Sequence, residues 1–221
     1  MRAGNWKMKL QPTTRSGKGF TLTELLVVIC VVAVVAVLLL PALAASKRKS
    51  SKIGCVNNLK QISIGFRIWE GDNGDKYPMQ VSVTNGGAME LAVAGDVAGI
   101  FRTMSNELST PKFLICPQDT KRIVATDFAA GFSNANISYF LSLDASDPYP
   151  NMILAGDDNL AVNGIRVLPG ILNLLTNASV GWTKERHGGV GYIALADGSV
   201  AQTPFNINFE TAGMTNRLVI P

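Results

Sequence analysis

The chain has 221 residues, of which 47% are hydrophobic, and a formal net charge of +4. The positive charge is concentrated near the start, because residues 1–52 hold nine of the 20 Lys and Arg residues and one of the 16 acidic residues. The remainder, residues 53–221, is therefore net acidic, which argues against a general nucleic-acid-binding surface. Basic residues that flank an apolar segment are typical of a membrane anchor. We expect one anchored domain and no nucleic-acid partner.

Residues 25–40 form an unbroken apolar run, LLVVICVVAVVAVLLL, inside a largely apolar stretch over residues 20–45. As a helix that rises about 1.5 Å per residue, this stretch is roughly 39 Å long and can cross a hydrocarbon core of about 30 Å. The sequence therefore predicts a transmembrane helix over residues 20–45. It is compatible with a plain signal anchor, and also with a cleaved secretory signal that has an A-x-A-like site at residues 42–44.

The residues just before the run, KGFTLTELL, favour a third kind of membrane segment. They resemble the class III signal of type IV prepilins and type II secretion pseudopilins, in which a short basic leader ends in Gly. The resemblance implies that residues 1–19 are a leader and that prepilin peptidase cuts between Gly19 and Phe20. It also implies that the same peptidase N-methylates Phe20. Met8 is a second candidate start, which would shorten the leader.

Two landmarks of that family fall inside the apolar segment, Glu24 and Pro41. An ionisable side chain at the edge of an apolar helix is costly in lipid unless it has a partner. In pilin-like filaments the partner is the N-terminal amine of a neighbouring subunit, which implies Phe20 of the next copy here. Such a pair would set the register between subunits, because leaving either charge unpaired is unfavourable. The alternative is an interfacial Glu24 whose carboxylate reaches water.

The orientation of the segment follows from the resemblance more than from charge, because basic residues flank the run almost equally on both sides. The resemblance implies a single-pass protein of the bacterial inner membrane with a cytoplasmic N-terminus and a periplasmic head. The implied partners are further copies of the chain, other pilin-like subunits, prepilin peptidase, the inner-membrane assembly machinery and the lipid bilayer.

Helical spacing continues beyond the anchor, over residues 46–71. Six apolar residues recur at intervals of three and four and predict one buried stripe; they are Ile53, Val56, Leu59, Ile62, Phe66 and Trp69. The sequence GDNG at residues 71–74 should end the helix, giving one helix over about residues 21–70. Pro41, Gly54 and Gly65 are the predicted positions for a bend.

Three further motifs narrow the resemblance. They are CVNNLKQI at residues 55–62, Cys116-Pro117-Gln118-Asp119, and His187 followed by Asp197-Gly198. A large group of bacterial pilin-like proteins shares this pattern of a Cys after the anchor, a Cys-Pro and a terminal His-x9-Asp-Gly. The group implies an α+β, pilin-like fold in which the long helix packs on a small antiparallel β-sheet head, residues 72–221.

The head is predicted from local patterns. Apolar spacing favours a helix over residues 97–108, and β-rich runs favour strands over residues 113–116, 137–143 and 152–155. Residues 190–196 and 199–203 are typical of a hairpin. Asp197-Gly198 between them predicts a two-residue type I′ turn.

Few side chains suggest chemistry. Cys30 lies in the apolar run, which leaves Cys55 and Cys116 as a candidate disulfide. His187 lacks an evident nucleophile and is expected to be structural, as are Asp197 and Gly198. An oxygen-rich group is interpreted as a solvated turn and not as a calcium site, since it lacks EF-hand spacing; its members are Asp157, Asp158 and Asn159, with Asp144 and Asp147 upstream. We expect no metal and no cofactor.

The sequence therefore predicts a structural filament subunit of a type IV pilus or type II secretion pseudopilus, and not an enzyme. Two alternatives stay open. The first is an extracytoplasmic binding protein, either secreted after a cut near Ala44 or held in the membrane by the segment. The second is an extracytoplasmic enzyme that uses the segment as an anchor and His187 in its site.

Overall fold

The computed structural model describes residues 19–174, 178–203 and 216–221, so most of the predicted leader lies outside the described residues. The chain divides into two compact units, Met1–Ser46 and Lys47–Pro221. Helix α1, Leu22–Asp72, contributes to both units.

In the first unit, α1 is apolar on all sides. Every residue from 19 to 50 is exposed, and the most apolar window of the helix has a mean hydropathy of 3.3. Among the described residues, α1 is the one helix long and apolar enough to cross a membrane. The predicted membrane-length helix is thus confirmed. Pro41 lies inside α1, and the helix is continuous through it.

In the second unit, α1 buries the predicted apolar stripe. Leu59, Ile62 and Phe66 are fully buried, and Trp69 is nearly so. The prediction is wrong for Ile53, which is 52% exposed, because the buried face begins two residues later at Cys55.

The two glycines of this part of α1 allow close packing and do not interrupt the helix. A Cβ at Gly65 would overlap the Leu108 side chain, and one at Gly54 would lie 3.0 Å from the Pro117 ring. Both glycines therefore let other segments of the chain approach the helix backbone, which replaces their predicted role as bends.

Three short helices follow: α2, Met89–Val93; α3, Val97–Thr103; and α4, Ser105–Leu108. The predicted helix over residues 97–108 is present as α3 and α4. The predicted strand over residues 113–116 is wrong, because Pro111 adopts a helical conformation and starts a 3₁₀ turn over Lys112–Leu114. The Leu114 N–H donates to the Pro111 carbonyl at 2.9 Å.

The described strands form two antiparallel sheets. The strands are β1 Tyr139–Ser142, β2 Ile153–Asp157, β3 Leu160–Val162, β4 Ile165–Arg166, β5 Gly170–Leu174, β6 Val180–Trp182, β7 Gly191–Leu195, β8 Val200–Thr203 and β9 Asn216–Ile220. The six-stranded sheet has the order β5-β9-β1-β2-β7-β8, and the three-stranded sheet has the order β4-β3-β6. The predicted strands over residues 137–143 and 152–155 correspond to β1 and β2.

The central strands of the six-stranded sheet, β1, β2 and β7, are buried on both faces. Tyr139 and Leu141 of β1 join the core beneath the helices, whereas Phe140 between them joins a second core with Trp182 of the smaller sheet. Alternation of side chains along a strand explains the two destinations. The head is therefore α+β as predicted, with a helical layer and a second sheet on opposite faces of the main sheet.

The β7–β8 hairpin is present, but its turn differs from the predicted one. Leu195 N–H donates to the Ser199 carbonyl at 2.9 Å, and Gly198 N–H donates to the Leu195 carbonyl at 3.0 Å. The loop therefore has three residues, 196–198, and only Gly198 has a positive φ, +83°. This geometry is a type I turn followed by a left-handed residue, in which Asp197 needs no positive φ.

The C-terminal turn of α1 carries a buried carboxylate, Glu70. Its Oε2 atom is buried and has no hydrogen-bond partner among the described residues. Burial, and next the charge of Asp147, raises the pKa of Glu70, while the neighbouring Tyr77 hydroxyl and the charge of Arg67 oppose the shift. The carboxylate also lies where the helix dipole is negative, so ionised Glu70 is unfavourable in the fold.

Candidate functional site

The predicted cleavage residues lie in an accessible segment before α1. Gly19, Phe20 and Thr21 have no regular secondary structure and are exposed. A Cβ at Gly19 would meet nothing within 4 Å. A peptidase needs backbone that it can reach, and this segment is exposed and lies outside the helix.

Thr21 and Glu24 form a capping box at the start of α1. Glu24 Oε2 accepts hydrogen bonds from the Thr21 N–H at 2.8 Å and from the Thr21 hydroxyl at 2.7 Å. In return, the Glu24 N–H donates to Thr21 Oγ1 at 3.3 Å. This reciprocal pattern satisfies backbone donors that a helix start leaves unpaired. The spacing Thr-x-x-Glu was visible in the sequence, and the role was not predicted.

The capping box uses one oxygen of the Glu24 carboxylate. Within the part of the chain that the structure describes, Oε1 makes no hydrogen bond, and all the bonds to the carboxylate go to Oε2. The carboxylate can therefore cap its own helix and accept from a further donor at the same time.

A second group of polar side chains meets inside the head. Cys55, Cys116, Asp157 and His187 each offer one ligand atom, and these atoms all lie within 4.8 Å of one another. We call these four residues the buried cluster. Cys116 Sγ lies 3.1 Å from His187 Nε2, and Cys55 Sγ donates to Asp157 Oδ1 at 3.1 Å. His187 Nε2 lies 3.7 Å from Asp157 Oδ2.

Four separate parts of the chain bring these residues together. Cys55 begins the buried face of α1, Cys116 follows the 3₁₀ turn, and Asp157 ends β2. His187 precedes β7 and has a φ of +54°, a left-handed conformation that is uncommon for a residue with a Cβ. Its N–H donates to Gln118 Oε1 at 2.7 Å, which holds this turn against the Cys-Pro segment.

The buried cluster is closed to solvent. Cys55, Cys116 and Asp157 are fully buried, and the side chain of His187 is 0% exposed. His187 packs edge-on against Tyr192 with ring centroids 5.0 Å apart. A reactant could not reach these side chains without movement of the surrounding chain.

Ionisation within the buried cluster is uneven. A hydrogen bond with Cys55 lowers the pKa of Cys116 to about 5. Burial opposes this shift, and His187 adds to it. Burial, and next the hydrogen bond with Cys116, raises the pKa of Cys55. Burial, and next the negative charge of Cys116, raises the pKa of Asp157 to about 6. The site thus accommodates one thiolate at Cys116 and disfavours further negative charge.

The candidate disulfide residues are both members of the buried cluster. Cys55 and Cys116 are close enough to interact, as a bridge would require, and both are free thiols in the structure. Cys30 is also a free thiol and is exposed on the apolar part of α1.

The expectation of a solvated turn is wrong, because Asp157, Asp158 and Asn159 are buried and their side chains have different partners. Asp157 belongs to the buried cluster, Asp158 forms ion pairs with Arg122 and Arg186, and Asn159 donates to the Thr183 carbonyl at 3.1 Å. Upstream, Asp144 pairs with Arg217 and Asp147 with Arg67. These oxygens therefore do not converge on one ion.

The ion pairs of Asp158 line a polar pocket of about 190 Å³. Asp119 joins them, with its Oδ2 atom 3.4 Å from Arg122 Nε and 3.3 Å from Arg186 Nη1. Each arginine thus contacts both carboxylates. Since the buried charges are balanced by one another, this network is best explained as structural.

Comparison with family models, with curated proteins and with solved structures gave no match to this chain.

Proposed function

We propose that the chain is a structural subunit of a pilin-like filament, of the type IV pilus or type II secretion pseudopilus class. The observation that carries the proposal is the apolar part of α1, which is exposed on every side. Thirteen of the residues in the run 25–40 are Val, Leu or Ile, and they are 47–69% exposed. Covering them stabilises the protein by on the order of 10 kcal/mol or more.

Two environments can cover this surface in turn. A lipid bilayer would do so before assembly, and the same segments of neighbouring subunits would do so in a filament. A plain anchor uses only the first environment. The residues that favour assembly over a plain anchor are the KGFTLTELL signal and the carboxylate of Glu24.

The geometry around Glu24 is compatible with assembly. Cleavage after Gly19 would leave the amine of Phe20 directly before the Thr21 cap. Glu24 Oε2 serves that cap, and Oε1 is available to accept from the amine of a neighbouring subunit. Glu24 therefore does not have to give up its helix cap to pair with another copy.

The proposal implies that residues 1–19 are removed and Phe20 is N-methylated, with the N-terminus cytoplasmic and the head periplasmic. It also implies that the partners are further copies, other pilin-like subunits, prepilin peptidase, the assembly machinery of the inner membrane and lipid. No enzymatic step is part of the proposal, since the buried cluster offers no access to a substrate.

The first test is the mass of the mature protein isolated from a bacterium that has prepilin peptidase. We expect a chain that begins with methylated Phe20, and Gly19→Ala should block this processing. A mature chain that begins near Ala45 would instead identify an ordinary secreted protein and refute the proposal.

A matched pair of variants separates the two roles of Glu24. Glu24→Gln keeps a side chain that can complete the capping box and removes the charge, whereas Glu24→Ala removes both. We expect both variants to be processed and both to lose filaments, scored by electron microscopy and by the sheared fraction. Normal filaments from Glu24→Gln would mean that the charge is not needed and would overturn the pairing.

A further inference from the structure

We propose that the buried cluster of Cys55, Cys116, Asp157 and His187 binds one zinc ion in a closed, structural site. The inference rests on the geometry and composition of the cluster and does not depend on the proposed filament function.

The separations between the ligand atoms suit a small tetrahedral ion. Zinc binds sulfur at about 2.3 Å and nitrogen or oxygen at about 2.0–2.2 Å, so the ligands of a tetrahedral site lie roughly 3.3–3.8 Å apart. In the buried cluster, the atoms of Cys116 and His187 are 3.1 Å apart, and those of His187 and Asp157 are 3.7 Å apart. An ion at the centre requires displacements of a few tenths of an ångström for these contacts, and the widest pairs, which are up to 4.8 Å apart, have to approach by about 1 Å.

The ligand types select the metal. Two thiolates and an imidazole are preferred by zinc, while calcium and magnesium require six or more oxygen ligands. Four protein ligands fill a tetrahedral shell and leave no position for water or substrate. Together with the complete burial of the side chains, this composition indicates a structural site and not a catalytic one.

Neighbouring groups already hold the ligands in place. The His187 N–H donates to Gln118 Oε1 at 2.7 Å, and the Tyr192 N–H donates to Asp157 Oδ2 at 2.9 Å. The Tyr139 hydroxyl lies 3.4 Å from Cys55 Sγ. Such outer contacts orient the ligands of a metal site and are a normal part of its construction.

The ion would also offset an electrostatic cost. Two sulfurs, a carboxylate and an imidazole are packed together without solvent. Whether the ionised form of each group is favourable depends on whether its neighbours are protonated. A divalent cation stabilises the thiolates and the carboxylate together, and its binding energy becomes folding energy. Because the ligands come from α1, the Cys-Pro segment, β2 and the turn before β7, zinc would fasten the helix to the sheet.

The experiment uses the full chain, purified in detergent under anaerobic, reducing conditions. Zinc content per chain is measured by plasma mass spectrometry, and the zinc-free protein is titrated with Co(II). We expect one zinc ion per chain and, with cobalt, the thiolate charge-transfer band together with the intense visible bands of a tetrahedral site. Absence of both signals would overturn the proposal.

Cysteine variants supply the control. Cys55→Ser and Cys116→Ser should each weaken zinc retention by about tenfold or more, whereas Cys30→Ser should bind as the parent does. Equal zinc content in all three variants would place the metal elsewhere and refute the site. If a serine variant fails to fold, the cobalt spectrum of the parent chain still decides, because it reports thiolate ligation directly.

Thiol counting distinguishes the remaining rival. A disulfide between Cys55 and Cys116 would use the same sulfur atoms and exclude the metal. We expect the zinc-loaded protein to release both thiols only when zinc is chelated under denaturing conditions. An intact mass that shows the disulfide in metal-free protein taken directly from cells would contradict the proposal.

Discussion

Replacing Ile62 with Ala tests whether the second half of α1 is part of the core of the head. Ile62 is 0% exposed, whereas Ile64 on the same helix is 56% exposed. Removing the buried side chain costs the lost burial and the cavity left behind, about 2–5 kcal/mol. The same change at Ile64 leaves no cavity, and the higher helix propensity of Ala offsets part of any lost contact.

Thermal unfolding of the full chain in detergent, followed by tryptophan fluorescence, measures the difference. For a unit of this size, 1 kcal/mol corresponds to about 2–4 °C in Tm. We therefore expect Ile62→Ala to lower Tm by roughly 6–12 °C for a loss of about 3 kcal/mol, and Ile64→Ala to change it by a degree or two at most. Equal shifts for the two variants would refute the packing of α1 described above.

Two further variants probe backbone approach and a buried charge. A Cβ at Gly191 would overlap the Trp182 ring, so Gly191→Ala should lower the free energy of unfolding by about 1–3 kcal/mol. The control is Gly71→Ala, because a Cβ at Gly71 meets nothing within 4 Å. Equal Tm values for the two variants would contradict the contact between Gly191 and Trp182. The pKa of Glu70 is raised in the fold, so ionisation of Glu70 destabilises the fold as the pH rises above 4.5, the ordinary pKa of a Glu side chain. Glu70→Gln should therefore raise Tm near neutral pH and lose this advantage below that value, and a gain that does not depend on pH would exclude the charge as its cause.

Local periodicity was sufficient to predict α1 and the segment that forms α3 and α4, but it did not predict α2. The stripe through Leu59, Ile62 and Phe66 gave the buried face of α1 because residues three and four apart share one side of a helix. It did not show where the head begins, so Ile53 was wrongly included. A second limit is that a pattern of apolar residues does not reveal a local turn. The apolar residues after Pro111 fit a strand by pattern, whereas in the structure Pro111 starts a 3₁₀ turn.

The buried cluster could not be predicted, because its members are distant in sequence. Cys116 and His187 are 71 residues apart, and Cys55 and Asp157 are 102 apart. The presence of ligand-type residues in one head was the available signal, and it does not say which of them meet. Asp157 and Asp158 were grouped in one oxygen-rich turn, yet adjacent residues at the end of a strand point to opposite faces. One therefore enters the buried cluster and the other the ion pairs.

The position of β9 places a constraint on the order of folding. Among the described strands, β9 is the last to be synthesised, yet it lies between β5 and β1 in the six-stranded sheet. Among the described residues, β5 pairs in that sheet with β9 alone, so it has no such neighbour until β9 arrives. In the interval, β5 and the outer side of β1 present unpaired backbone groups, which are templates for association with other chains. A nascent head therefore depends on protection of these edges until synthesis has passed residue 220.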